Sequence, residues 1–228
     1  MKQNNEFELP IINTEKNTIA NTIKAIFIIL LSVSQYIWVP MLPKYSEAFT
    51  LRVIISIAFD LLFSTVITML FFNTIKKEIT EFKNNFKIYI KFIFKNFAYV
   101  IIFYGIGTII SLLVLKGTNK NEMILQTFPF WYELLYSCMA AIIEEYTFRK
   151  SFRIIIKNKY IFMIISALIF GLIHTLKDYS LGIAFITAIP YMALGYYMAY
   201  LYSESNNMMT NISFHFIWNF VWCILTNL

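Results

Sequence analysis

The residues of this chain best suited to chemistry are few and clustered by type. The stretch AIIEEYTFRK (141–150) sets Glu144, Glu145 and Arg149 against an apolar run. A charged group at the centre of a bilayer costs at least about 2.5–3.5 kcal/mol on insertion scales, so charges in such a run point to function. Glu145 and Arg149 are spaced i,i+4 with the acid first, the better orientation for a helical ion pair. Glu144 lies about 100° further round a helix. One carboxylate can therefore be neutralised while its neighbour points elsewhere. The chain has two histidines, His174 and His215, and both fall within apolar runs. His174 follows Phe170 by four residues, with Gly171 and Ala167 allowing a second helix to come close. His215 precedes Asn219 by four, so imidazole and carboxamide project from one face. A carboxylate facing imidazoles between apolar walls suits a general base.

These residues need elements to hold them, and the composition names the medium. Of 228 residues, 59% are hydrophobic and 14% charged, too little charge to cover the surface of a soluble domain of this size. Runs long enough to cross a bilayer, about 20 residues each, recur at 19–41, 52–73, 96–115, 127–148, 160–176, 182–202 and 210–227. The expected fold class is all-α, a polytopic membrane bundle of about seven transmembrane helices. It divides into a flexible cytoplasmic tail (1–18), N-terminal transmembrane helices (19–126) with an amphipathic segment at 74–95, and a core at 127–228. The first 18 residues are polar and lack the apolar stretch of a cleavable signal. Cys138 and Cys223 lie within apolar spans, where packing is expected rather than a disulfide.

Basic residues set the orientation. Lys2, Lys16 and Lys24, then Lys76, Lys77, Lys83, Lys87, Lys91 and Lys95, then Arg149, Lys150, Arg153, Lys157 and Lys159 fall on one side of the membrane. Lys44, Arg52, Lys116, Lys120 and Lys177 fall on the other. The richer side, with the N-terminus, is expected in the cytoplasm. The net charge of +6 is then a topology signal directed at anionic headgroups, and nucleic acid is not needed to explain it. Within 74–95, Ile75, Ile79, Phe82 and Phe86 share a helical face, as a helix lying on the cytoplasmic leaflet requires. Trp38, Tyr36 and Tyr45 around Pro40 and Pro43 read as an aromatic belt at the outer interface.

Depth brings the residues together. Glu144 stands 15 residues before Lys159 and His174 stands 15 after it. In an antiparallel helical pair turning at 157–159 both sit roughly 20 Å from the tip. A second turn at 203–207 delivers His215, at a somewhat shallower level, with Asn219 beside it.

At these residues the chain resembles the CAAX-processing and bacteriocin-processing (CPBP, Abi) family of intramembrane proteases. Its motifs EExxxR, FxxxH and HxxxN stand here as EEYTFR (144–149), FGLIH (170–174) and HFIWN (215–219), in order and on helical runs, over roughly 130–225. Asn207, eight residues before His215, is a weaker echo of a loop asparagine. The resemblance implies a helical bundle cleaving peptides or membrane proteins near the cytoplasmic leaflet. It implies that Glu144 activates water with help from His174, that His215 and Asn219 hold the oxyanion, and that Glu145 and Arg149 brace the site.

The preferred expectation is glutamate catalysis with no metal required. Glu144, His174 and His215 would otherwise form a zinc set of three protein ligands, and the family is commonly described as metalloprotease; there is no HExxH helix. Two further functions compete. One is a non-proteolytic regulator or bacteriocin self-immunity protein on the same fold, against which an intact Glu144 argues. The other is an ion-coupled transporter using Asp60, Glu133 and Glu144, against which stands the lack of an inverted repeat. Asp60 is expected to meet a polar group in the bundle, and Glu133 to lie near the outer interface. The Asn-, Lys- and Ile-rich composition points to the plasma membrane of a low-GC bacterium. There the expected substrate is a peptide pheromone, a bacteriocin leader or a membrane-protein tail.

Overall fold

The computed structural model describes Leu9 and residues 18–38, 46–95, 97–115, 130–175 and 181–227. Among the described residues all regular structure is helical. The rest of the tail, Pro40, Pro43 and Tyr45 of the expected aromatic belt, and residues 116–129 lie outside them. Helices α1 (Ile19–Trp38), α2 (Ser46–Asn84), α3 (Phe86–Lys95) and α4 (Phe97–Leu115) form the N-terminal part. Helix α5 (Phe130–Glu144) runs on through a π-helical turn (Glu145–Ser151) into a last α-turn, Phe152–Ile155. Then follow α6 (Lys159–Thr175), α7 (Leu181–Thr187), α8 (Ile189–Ser205) and α9 (Met208–Asn227).

Among the described residues three stretches are long and apolar enough to cross a membrane: Val53–Asn84, Phe97–Val114 and Met208–Leu225. Ile19–Gln35 and Lys159–Thr175 are shorter apolar helices. With large side chains such as Leu62, Met69, Phe103, Ile109 and Leu113 turned outward, this is an integral membrane protein. Exposed apolar surface on this scale marks contact with lipid or a partner, and helices of this length fit lipid.

Two boundaries differ from the sequence expectation. The segment expected at 74–95 is not one helix: α2 kinks at the end of the 52–73 run and resumes to Asn84, and α3 follows. Helix α3 is amphipathic. It buries Tyr89, Phe92 and Ile93 and leaves Lys87, Lys91 and Lys95 exposed. Helix α2 kinks at Phe71 (φ −116°, ψ 17°), and Lys24 of α1 donates to the neighbouring Leu70 carbonyl at 2.9 Å. The run at 182–202 is likewise two helices. The break falls at Ala188, and Pro190 stands in the first turn of α8, where its missing N–H is tolerated.

The C-terminal helices are fixed by close approach and by caps. A Cβ on Gly171 would overlap the Met192 side chain and stand 3.0 Å from the Ala188 carbonyl oxygen and from the Met192 nitrogen; a Cβ on Gly195 would stand 3.2 Å from the Cα of Ala167. Helices α6 and α8 therefore meet backbone to backbone, as sequence reading of Gly171 and Ala167 suggested. Asn158 caps α6, its Oδ1 accepting from the Tyr160 and Ile161 N–H groups at 3.0 and 3.1 Å. Asn206 turns the chain in the left-handed region (φ 48°). Asn207 then caps α9, its Oδ1 accepting from the Met209 N–H at 2.9 Å.

Candidate active site

Helices α5, α6 and α9 deliver one residue each to a common point. Glu144 is the last residue of α5 before the π-turn; its side chain keeps 18% exposure. Its Oε1 lies 3.8 Å from His174 Nε2 and its Oε2 lies 3.7 Å from His215 Nε2. Both histidines thus turn the same ring nitrogen toward one carboxylate. His215, expected from its turn to sit shallower, reaches the level of Glu144.

The opposite ring nitrogens explain that orientation. His174 Nδ1 lies 2.7 Å from the Phe170 carbonyl oxygen, and His215 Nδ1 lies 2.8 Å from Glu145 Oε1. A carbonyl and an ionised carboxylate only accept, so each Nδ1 carries the hydrogen. In a neutral ring Nε2 is then a lone pair aimed at Glu144; in a doubly protonated ring it is an N–H donor aimed there. Tyr191 of α8 stacks on the His174 ring, with centroids 4.9 Å apart and planes inclined by 17°. The Phe170 carbonyl orients the His174 imidazole, and the Phe170 ring packs against it with centroids 4.4 Å apart.

Glu145 has the opposite surroundings. It is wholly buried, and Arg149 Nη1 lies 3.3 Å from its Oε1. Its Oε2 accepts from Asn211 Nδ2 at 3.0 Å. Arg149, also wholly buried, lies over the Phe170 ring at 4.4 Å, and its Nη2 donates to the Gly195 carbonyl at 3.4 Å. The π-turn carries this pair. Within it the Ser151 hydroxyl donates to the Tyr146 carbonyl, five residues back, at 2.8 Å. Such turns recur at functional sites.

Asn219 sits one turn beyond His215, and its amide donates to the Ser137 carbonyl at 3.2 Å. That contact ties α9 to α5, two turns before Glu144, and occupies one of the two amide hydrogens. Asn207 donates to the Glu78 carbonyl at 3.0 Å. Lys150 pairs with the Glu78 carboxylate at 3.0 Å, so the π-turn and the start of α9 are both anchored to the far end of α2. Asp60 is buried in α2 and accepts from Gln35 Nε2 at 3.0 Å. Glu133, expected near an interface, is buried at 3% exposure inside the bundle.

Sequence reasoning passed over Asn211 and Tyr191. Asn211 carried a usable signal, since Asn211, His215 and Asn219 repeat at intervals of four along one helical face. Tyr191 carried none that separates it from the other aromatic residues of α8.

Residues 126–221 match the family model described as "Type II CAAX prenyl endopeptidase Rce1-like". This stretch is similar to that family, and it contains Glu144, Glu145, Arg149, His174, Asn211, His215 and Asn219. Comparisons with curated proteins and with solved structures gave no match.

Proposed function

We propose that this integral membrane protein is an intramembrane endopeptidase in which Glu144 activates the attacking water. The observation that carries the proposal is the unequal treatment of two adjacent acids. Glu145 is held by Arg149, His215 and Asn211, whereas Glu144 is partly exposed and faces two imidazole nitrogens at 3.7 and 3.8 Å. A base must be free to take a proton.

In the proposed sequence a water beside Glu144 gives its proton to the carboxylate as its oxygen attacks the scissile carbonyl. His174, with its Nδ1–H spent on Phe170, offers the Nε2 lone pair to orient that water. His215 keeps Nδ1–H on Glu145; in its doubly protonated form Nε2–H donates to the developing oxyanion, joined by the second N–H of Asn219. Such donors count most where water is scarce and charge is developing. Glu144 then returns the proton to the leaving amine.

The rival chemistry is zinc. The donor types suit it, with two Nε2 lone pairs and a carboxylate, and a carboxylate behind one histidine is a frequent second partner of metal-bound imidazole. Glu144, His174 and His215 would hold such an ion, which would polarise the scissile carbonyl and the attacking water. The proposed sequence runs through the protein's own groups.

The distribution of lysine and arginine supports seven crossings with the N-terminus and the Glu144 end of α5 toward the cytoplasm. The exposed lysines of α3 suit anionic headgroups of that leaflet. The substrate class proposed is a peptide precursor or a membrane-protein tail in the plasma membrane of a bacterium. The deciding experiment compares the membrane proteome and secreted peptides of a strain carrying Glu144→Ala with its parent. Accumulation of an uncleaved precursor, restored to processing by the wild-type gene, supports the proposal; identical profiles count against it.

A further inference from the structure

Asn211 stands one turn before His215 on α9 and is wholly buried. Its Nδ2 donates to two acceptors, Glu145 Oε2 at 3.0 Å and the Met198 carbonyl at 2.6 Å. Neither an ionised carboxylate nor a carbonyl can donate, so the amide has one workable orientation, with nitrogen toward both. That orientation leaves Asn211 Oδ1 buried with no partner among the described residues. An orphaned acceptor in the bundle is unfavourable, and a leucine of similar volume would avoid it. The residue is therefore poorly explained as packing and well explained by what its two N–H groups hold.

What they hold is the base of the His215 support. Glu145 Oε1 receives the His215 Nδ1–H at 2.8 Å and faces Arg149 at 3.3 Å; Oε2 receives Asn211. The terminal torsion of a glutamate is broad and roughly two-fold. Contacts to Oε1 alone leave the carboxylate plane free to swing about that oxygen. A donor on Oε2, itself anchored to the α8 backbone at Met198, removes that freedom. We propose that Asn211 is a positioning residue: by clamping the second oxygen of Glu145 it fixes the ring orientation and the Nδ1–H form of His215. The inference rests on the proposed function only for its consequence, the aim of His215 Nε2 at Glu144.

With two histidines in the chain, ring-nitrogen NMR of detergent-solubilised protein carrying isotopically labelled histidine reads the contact directly. His174, whose Nδ1 is held by the Phe170 carbonyl, serves as an internal control; a His174→Asn variant assigns the signals. In wild type both Nδ1 atoms should appear protonated. In Asn211→Leu the His215 Nδ1 signal should shift or broaden while that of His174 stays in place. Asn211→Asp keeps the shape and replaces the donor by an acceptor facing Glu145, and it should shift His215 in the same selective way. A His215 spectrum unchanged in a folded variant overturns the proposal. So do equal shifts of both histidines, and so does a failure of both variants to fold, either of which makes Asn211 a packing residue. None of these readouts needs proteolysis. Loss of the endopeptidase assignment through an active Glu144→Gln would leave the clamp standing.

Discussion

Adjacent in the chain, Glu144 and Glu145 flank the same imidazole. Glu145 Oε1 lies 2.8 Å from His215 Nδ1, and Glu144 Oε2 lies 3.7 Å from His215 Nε2. The rotation between consecutive residues at the end of α5 places the two carboxylates at opposite nitrogens of the His215 ring. One enters a closed network with Arg149 and Asn211, and the other opens on a partly exposed point shared with His174. Two chemically identical side chains thus acquire different surroundings from one helical step.

Glu144→Gln tests the first of these roles. The amide has nearly the shape of the acid and cannot take a proton from water. Fold and thermal stability should therefore match wild type, while cleavage falls by roughly 10²–10⁴-fold, the usual contribution of a positioned base. Cleavage of the precursor found by the proteome comparison, followed with purified protein, measures it. Wild-type turnover would remove Glu144 from the mechanism.

Arg149→Ala tests the second. Arg149 and Glu145 are both wholly buried, and removing the cation strands a carboxylate away from water. Breaking a buried pair on one side costs roughly 3–5 kcal/mol, so the variant should unfold at markedly lower temperature in detergent and lose activity with it. The two losses should travel together, unlike those of Glu144→Gln. An Arg149→Ala protein as stable as wild type would mean that the pair does not brace the site.

The helix contact that positions His174 has its own control. Gly171→Leu forces side-chain atoms into the Met192 and Ala188 backbone, where even a Cβ has no room. Overpacking of this kind typically costs about 1–3 kcal/mol, and it should also displace His174, three residues further along α6. Gly105→Ala is the comparison, because a Cβ there meets nothing within 4 Å. In a helix that change should be neutral or stabilising by roughly 0.5–1 kcal/mol. Thermal unfolding of both variants separates crowding at Gly171 from a general intolerance of substituted glycines.

Much of this site was legible in the sequence because it is written in short helical intervals. The i,i+4 pairs of Glu145 with Arg149 and of Phe170 with His174 are local. The depth of Glu144 against His174 follows from counting residues to a turn. Other features leave no such trace. The π-turn at 145–151 changes hydrogen-bond partners without changing residue types. Lys150 meets Glu78 across 72 positions, a pairing no periodicity reports. The division of 74–95 between the end of α2 and a separate α3 left no mark in hydropathy, which reports lipid contact and not where helical hydrogen bonding breaks. Asn219 was legible as a site residue by spacing alone; its contact with the Ser137 carbonyl depends on how α9 leans on α5.

The last prediction separates metal-free glutamate catalysis from zinc chemistry. On the proposed mechanism, purified protein should hold well under about one zinc per chain by elemental analysis, and it should keep cleaving after treatment with a strong chelator. His215→Ala should then lower kcat more than it raises KM, because an oxyanion donor acts chiefly on the transition state. On the zinc alternative, His174→Ala and His215→Ala should each abolish metal binding, chelation should abolish cleavage, and added zinc should restore it. The site geometry sharpens the contrast, since both histidines direct Nε2 at Glu144 and a metal there would engage the very carboxylate that the proposed mechanism needs free. One equivalent of zinc, lost together with activity in both histidine variants, would overturn glutamate catalysis and leave the endopeptidase assignment in place.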